Sequence, residues 1–125
     1  MAGDARTLIE QAVRRLLEEV PALKPLKLVV GVDLIGGRSD LQSFRLELPA
    51  VDVRKDLATD ARVRVEMRRE HFNPLAEDGT LTAWHKAYDV GRLKATGVQQ
   101  YLQLIGQVVA KEEERRRLRK ARHGV

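Results

Sequence analysis

The stretch KLVVGVDLIGGRSDLQSFRLEL, residues 27–48, contains two alternating runs of apolar side chains with a pair of glycines between them. Apolar residues occupy the even-numbered positions in residues 27–34 and again towards the end of residues 41–48. Because successive side chains of a β-strand point to opposite faces, each run predicts a strand that is apolar on one face. Gly36 and Gly37 tolerate positive φ, so the stretch predicts a hairpin that turns at these glycines.

Three more runs alternate in the same way, at residues 51–57, 61–67 and 92–96. Together the five runs predict a sheet with one apolar face and one face in water. Amphipathic helices of the same chain can cover the apolar face, and their spacing predicts them at residues 4–20 with Asp4 as N-cap, at 68–76, after Thr82 as N-cap, and from Val98 onward. The sequence therefore predicts an α/β (α+β) fold in which a hydrophobic cavity can form between sheet and helices.

Length and composition agree with a single domain of 125 residues and 14.1 kDa. No apolar run approaches the length of about 20 residues that a membrane-spanning helix needs. The N-terminal segment MAGDARTLIE reaches acidic residues at once and lacks the apolar segment of a secretory signal. There is no cysteine, which excludes disulfides and thiolate chemistry. We therefore expect a cytoplasmic location.

Positive charge is concentrated at the C-terminal end of the chain. Residues 111–122 contain seven basic and three acidic side chains, which accounts for +4 of the net charge of +5. The apolar stripe of the last predicted helix ends at Ala110. The sequence thus predicts a domain at residues 1–110 and a basic helical extension at residues 111–125 that makes few packing contacts. Because the body is nearly neutral, the pI of 9.9 does not by itself indicate a nucleic-acid-binding protein.

Residues that could support catalysis are sparse. Ser39 and Ser43 both lack the G-x-S-x-G setting of an activated nucleophile. His85 and Asp89 lie four residues apart on a predicted helix but have no third candidate ligand for a metal. No glycine motif precedes a helix in the way that phosphate binding requires. We therefore expect no enzymatic activity, no metal and no cofactor.

Two aromatic residues occupy a position that a gate could use. Trp84 and Tyr88 lie four residues apart on a short predicted helix between two glycine-containing turns. Such a segment can cover and uncover an apolar cavity, although core packing is the ordinary role of aromatic side chains at this spacing.

Several motifs resemble the sterol carrier family, the type-two sterol carrier proteins that bind and transfer lipids. GRLKATG at residues 91–97 resembles that family's G-K-L-K-I-K-G run, and Lys86-Ala87-Tyr88 resembles its K-A-F. ATDARVRVEMRREHFNPLAEDGTL, residues 58–81, resembles the family's A-D-x-T-I-T-M strand with the polar helix and glycine turn that follow it. VQQYLQLIGQVV, residues 98–109, stands where the family has its C-terminal amphipathic helix. The resemblance covers roughly residues 27–110.

The resemblance implies a five-stranded mixed sheet with helices covering one face and an apolar tunnel between the two layers. In the family this tunnel holds a fatty acid, an acyl thioester or a sterol-like lipid, which the domain carries without chemistry. On this hypothesis the lining residues are Val63, Val65, Phe72, Trp84, Tyr88, Leu93, Leu102, Ile105 and Val109.

A second hypothesis is a protein-interaction module whose core is filled by its own side chains. Its basic C-terminal helix would dock an acidic protein or an anionic membrane surface, with nucleic acid less favoured. The docking residues would be Arg115, Arg116, Arg117, Arg119 and Lys120. A bound lipid would distinguish the two hypotheses.

Overall fold

A computed structural model describes residues 4–123 and shows a five-stranded sheet in the order β3-β2-β1-β4-β5. The strands are β1 (Leu28–Ile35), β2 (Leu41–Leu48), β3 (Asp52–Lys55), β4 (Val63–Arg68) and β5 (Leu93–Gly97). β1 pairs with β4 in parallel, and the other three pairs are antiparallel. The mixed sheet implied by the resemblance is therefore confirmed.

Four α-helices accompany the sheet within the described residues, together with two short 3-10 helices at Pro21–Leu23 and Gly37–Ser39. The α-helices are α1 (Ala5–Glu19), α2 (Arg69–Asp78), α3 (Leu81–Asp89) and α4 (Gln99–His123). The side chain of Asp4 accepts a hydrogen bond of 2.8 Å from the Thr7 amide, which confirms Asp4 as the N-cap of α1. This bond also holds the pKa of the Asp4 carboxyl below its ordinary value. No helix within residues 4–123 is long and apolar enough to cross a membrane.

The register of the strands aligns their apolar side chains on one face. One row runs across four strands from Phe44 through Val32 and Val65 to Ala95. The opposite face carries polar side chains, where Ser43 Oγ donates to Asp33 Oδ1 over 2.8 Å. Arg64 Nη1 also donates to Asp33 Oδ1, over 3.0 Å. The prediction of one apolar and one solvated face is confirmed, and helices cover the apolar face.

Two local predictions are wrong. Leu57 is 68% exposed, because β3 ends at Lys55 and the chain leaves the sheet before reaching it. The N-cap of α3 is Thr80 rather than Thr82, since the Thr80 side chain accepts from the Ala83 amide at 3.2 Å. Both errors concern the residue at which an element ends or begins, which the local sequence leaves open. The predicted hairpin turn between β1 and β2 is confirmed, although Arg38 takes a positive φ of 58° there and Gly36 has a φ of −90°.

The core lies between α1 and the strands β1, β2 and β3. Leu8 and Ile9 of α1 are 3% and 2% exposed, and Val53 of β3 is fully buried. Phe72 and Ala76 extend the same buried cluster to α2. Removal of this apolar area from water is the main force that holds the helices on the sheet.

Helix α4 continues through Ala110 without interruption and makes polar contacts beyond it. Glu112 is 7% exposed, and His85 Nδ1 of α3 lies 2.5 Å from Glu113 Oε1. Arg116 Nη2 donates to the carbonyl oxygen of Glu19 at the end of α1, over 2.9 Å. The expectation that residues beyond 110 make few contacts is therefore wrong. These contacts are polar, so the end of the apolar stripe at Ala110 could not reveal them. That residues 1–110 form a domain of their own stays a prediction.

Removal of residues 111–125 is expected to cost about 2 kcal/mol of unfolding free energy, because it deletes charge-assisted hydrogen bonds that are partly shielded from water. Thermal or urea unfolding measures the change. Removal of residues 120–125 is the matched control, since it keeps Glu113 and Arg116 and should leave stability nearly unchanged. An unchanged midpoint for the longer truncation would show that the extension is dispensable.

Candidate functional site

The apolar face of the sheet is buried unevenly from one edge to the other. Along the row described above, Phe44 is 4% and Val32 is 8% exposed. Their neighbours Val65 and Ala95 are only half-buried, and so is Leu93 on β5. The ends of β4 are better covered, since Val63 and Met67 are each 3% exposed. The incompletely covered strip therefore lies at the middle of β4 and along β5.

Helices α3 and α4 both contact β5 and cover this strip. Trp84 on α3 and Leu102 and Ile105 on α4 are half-buried and pack against the core cluster. Because these side chains keep part of their surface in water, α3 and α4 cover β5 less tightly than α1 covers β3. We call this region, formed by Val65, Trp84, Leu93, Leu102 and Ile105, the apolar strip.

An aromatic pair forms one wall of the apolar strip. The ring centroids of Phe72 and Trp84 are 6.1 Å apart, and their planes meet at 64° in an edge-to-face arrangement. Such pairs contribute about 0.5–1.5 kcal/mol beyond the area that they bury. Phe72 is 5% exposed, so it anchors the more exposed Trp84 from α2. The pair packs α3 against α2 beside the apolar strip.

The predicted lining residues fall into three groups. Val63 and Phe72 are buried in the core. Tyr88 is 52% exposed. The other six are half-buried: Val65, Trp84, Leu93, Leu102, Ile105 and Val109. Of these, all except Val109 belong to the apolar strip. Their role as ligand contacts stays a prediction.

Tyr101 and Ala95 also face this region and are absent from the predicted lining. Tyr101 is half-buried and packs against the same core cluster. It precedes Ile105 by one helical turn, so the i, i+4 spacing in the sequence could have placed it on the same helix face. Ala95 pairs directly with Val65 across β4 and β5, which only the strand register reveals.

Two surface clefts in the described part of the chain lie outside the apolar strip, although Tyr101 lines one of them. One, of about 590 Å³, lies between α2 and α3 and includes Pro74, Leu75, Lys86, Val90 and Arg92 in its lining. The other, of about 560 Å³, lies beside the start of β1 and includes Lys27, Glu47 and Tyr101. Neither cleft is lined by a predicted lining residue, so the proposed ligand region rests on the half-buried apolar strip.

The polar residues singled out by the sequence have structural partners. Ser43 is a hydrogen-bond donor to Asp33 on the solvated face. His85 contacts Glu113 and lies 3.7 Å from Asp89 Oδ1. Within residues 4–123 no group of three His, Asp or Glu side chains is arranged to hold a metal ion. His71 Nδ1 is buried and has no hydrogen-bond partner among the described residues.

Comparisons with known proteins reveal likeness in structure only. No family model and no curated protein matches the sequence. Among solved structures, palmitated sterol carrier protein 2-like 2 from Aedes aegypti superposes with a TM-score of 0.55 at 15% identity, covering 81% of this chain and 93% of that one. Sterol carrier protein 2 from Yarrowia lipolytica in its apo form gives a TM-score of 0.55 at 19% identity, covering 78% and 87%.

The sterol carrier protein domain 2 of Helicoverpa armigera gives a TM-score of 0.56 at 13% identity, covering 90% of this chain and 94% of that one. At these identities the likeness concerns the fold. The chain has the sterol carrier protein 2 fold, as the sequence motifs indicated.

Proposed function

We propose that this chain, with its sterol carrier protein 2 fold, binds an apolar ligand of the lipid class between β4–β5 and α3–α4 and carries it without chemistry. The observation behind the proposal is the apolar strip. Where Val32, Phe44 and Leu46 of the same sheet face are buried, Val65, Ala95 and Leu93 keep part of their surface accessible beneath two helices. A bound hydrocarbon would complete the burial of these side chains.

The energetics favour a ligand with a long apolar part. Burial of a CH₂ group contributes about 0.8 kcal/mol, so several methylenes against the apolar strip are enough for useful affinity. Ligand sites of this kind are mostly apolar and need few polar groups. We therefore expect the walls to be Val65, Trp84, Leu93, Leu102 and Ile105, with Val109 further along α4.

A fatty acid, an acyl thioester or a sterol-like molecule is the expected ligand. One protein of the same fold, from Aedes aegypti, is described as palmitated, and this supports the fatty-acid class. Val63 and Phe72 would support the site from the core, and Tyr88 would lie outside it. A non-catalytic role agrees with the structural partners of Ser43 and His85.

Titration with a fluorescent fatty acid tests the proposal. The expected result is saturable uptake that unlabelled palmitate displaces, together with a co-purified lipid in native mass spectrometry. Burial of the acyl chain should also raise the melting temperature, because a ligand that binds only the folded state stabilises it. No uptake and no change in melting would contradict the proposal.

The alternative, a protein-interaction module, is supported by the solvent-facing side of α4. Arg115 and Arg119 side chains are 68% and 60% exposed, and Arg117 and Lys120 are exposed as well. Arg116 is engaged with Glu19, so it is a weaker candidate for docking than its neighbours. Salt-sensitive binding of an acidic protein by a chain that takes up no lipid would favour this alternative. A cytoplasmic location remains an expectation in both cases.

A further inference from the structure

The end of α3 and the residues that follow it form an exposed corner with an unusual composition. Tyr88 is 52% exposed and Val90 is 59% exposed. Lys86, two residues before Tyr88, and Arg92, two residues after Val90, are also exposed. We call these four residues the α3 corner.

The backbone turns sharply at the α3 corner. Gly91 has a φ of +82°, and the Arg92 amide donates to the Ala87 carbonyl over 2.9 Å. The Val90 amide donates to the Lys86 carbonyl over 3.0 Å. These bonds satisfy carbonyl groups that would otherwise leave the negative end of the helix open to solvent. These hydrogen bonds define the backbone of the turn that carries Tyr88, Val90 and Arg92.

The two cations of the α3 corner have no acidic partner within the described residues. Lys86 and Arg92 line the cleft between α2 and α3, and within residues 4–123 neither forms an ion pair with a carboxylate. Glu70, which also lines this cleft, lies 2.7 Å from Arg68 Nε. The hydrogen bond from Arg68 holds the pKa of the Glu70 carboxyl below its ordinary value, so this acid stays ionised and paired.

Asp89 is the other acid beside the corner. Its Oδ1 lies 3.7 Å from His85 Nε2 on the preceding turn of α3. Glu70 is thus paired with Arg68, and among residues 4–123 no carboxylate lies within 4.0 Å of Lys86 or Arg92, so both cations remain available to an external anion.

We infer that the α3 corner docks the protein on a bilayer that contains anionic phospholipids. Lys86 and Arg92 would contact headgroup phosphates at the cleft, and Tyr88 and Val90 would enter the interface beneath the headgroups. Tyrosine is favoured at membrane interfaces, and each basic side chain near an anionic surface strengthens binding. A free anion would engage the two cations but would leave Tyr88 and Val90 in water, so the combination favours a bilayer.

This inference goes beyond the proposed function, because docking and ligand uptake use different residues. Docking at the α3 corner would place α3, which covers the apolar strip, against the membrane. The basic side of α4 is the competing docking surface on the same molecule. Although it carries more cations, Glu112 lies within 4.0 Å of three of its arginines and offsets part of their charge.

Co-sedimentation with phosphatidylcholine vesicles, with and without phosphatidylglycerol, tests the inference. Replacement of the two corner cations, Lys86→Gln and Arg92→Gln together, should weaken binding to the anionic vesicles about 30-fold, as expected for two cations near such a surface. The matched control removes two exposed cations of α4, Lys111→Gln and Lys120→Gln, and should have a much smaller effect. An equal or larger loss in the control would overturn the inference in favour of α4.

A labelling experiment locates the docking surface independently. The chain has no cysteine, so Val90→Cys and Arg117→Cys can each carry a single polarity-sensitive dye. A blue shift with anionic vesicles is expected at position 90 and not at 117, and the reverse would refute docking at the corner.

Fatty-acid uptake from water by the Lys86→Gln, Arg92→Gln protein should be unchanged. Docking without uptake would contradict the proposed function only, and uptake without docking would contradict this inference only.

Discussion

Ile105→Trp is expected to abolish lipid uptake while leaving the melting temperature nearly unchanged. Ile105 is half-buried in the middle of α4 and packs at the edge of the core cluster. If the space beside it is reserved for ligand, the larger indole fills that space without displacing core side chains. The ring would replace about three methylenes of ligand, so affinity should fall by more than about 30-fold.

Leu104→Trp is the control for this experiment. Leu104 lies on the same helix and is 44% exposed, so a ring at that position meets solvent and should change neither uptake nor melting. Fluorescent fatty-acid titration and thermal melts of both variants provide the comparison. In a filled core the Ile105→Trp change would instead cost roughly 1–3 kcal/mol through overpacking. A large drop in melting temperature, in a protein whose parent binds no lipid, would refute the carrier hypothesis.

Gly97→Ala should cause the largest loss of stability among simple substitutions in the resemblance motif. Gly97 has a φ of +136°, and a Cβ there would lie 2.2 Å from the Arg62 carbonyl oxygen and 2.8 Å from Val63 Cα. Both are backbone atoms of the segment that pairs with β5, so β5 and the start of α4 would have to move. We expect a cost of about 3 kcal/mol, seen as a fall of about 10 °C in melting temperature.

Gly91→Ala is the matched control at the other end of β5. Gly91 also has positive φ, at +82°, but a Cβ there has no atom within 4 Å. Only backbone strain remains, so the cost should be about 1 kcal/mol. Equal effects at the two positions would show that the close approach at Gly97 relaxes at little cost, and that β5 is less firmly positioned than its contacts indicate.

The fold follows from local patterns more than the candidate site does. Alternation with a period of two is a property of neighbouring residues, so β1, β2 and β4 could be found without knowledge of their partners. The N-cap at Asp4 is equally local. Leu57 and Thr82 were misassigned because a strand end and a helix start depend on which residue finds a partner in the folded chain.

The contacts of α4 illustrate a second kind of limit. Glu113 and Arg116 are ordinary charged residues in the sequence, and an apolar stripe that ends at Ala110 indicates a solvated helix. In the folded chain they meet His85 and the Glu19 carbonyl, which lie 28 and 97 residues away in the sequence. Polar contacts between distant helices carry no periodic signal, so no pattern within the helix could predict them.

The sequence by itself determined the order of the elements, the one-sided sheet and the apolar nature of the face beneath α3 and α4, because hydrophobic patterning acts along the chain. Only the tertiary structure decided that β1 pairs in parallel with β4, and that Val65 and Ala95 stay half-buried where Phe44 and Val32 are sealed. It also placed Tyr88 in solvent rather than over the apolar strip. Burial depends on how closely two elements approach, and that distance is set by packing across the whole domain.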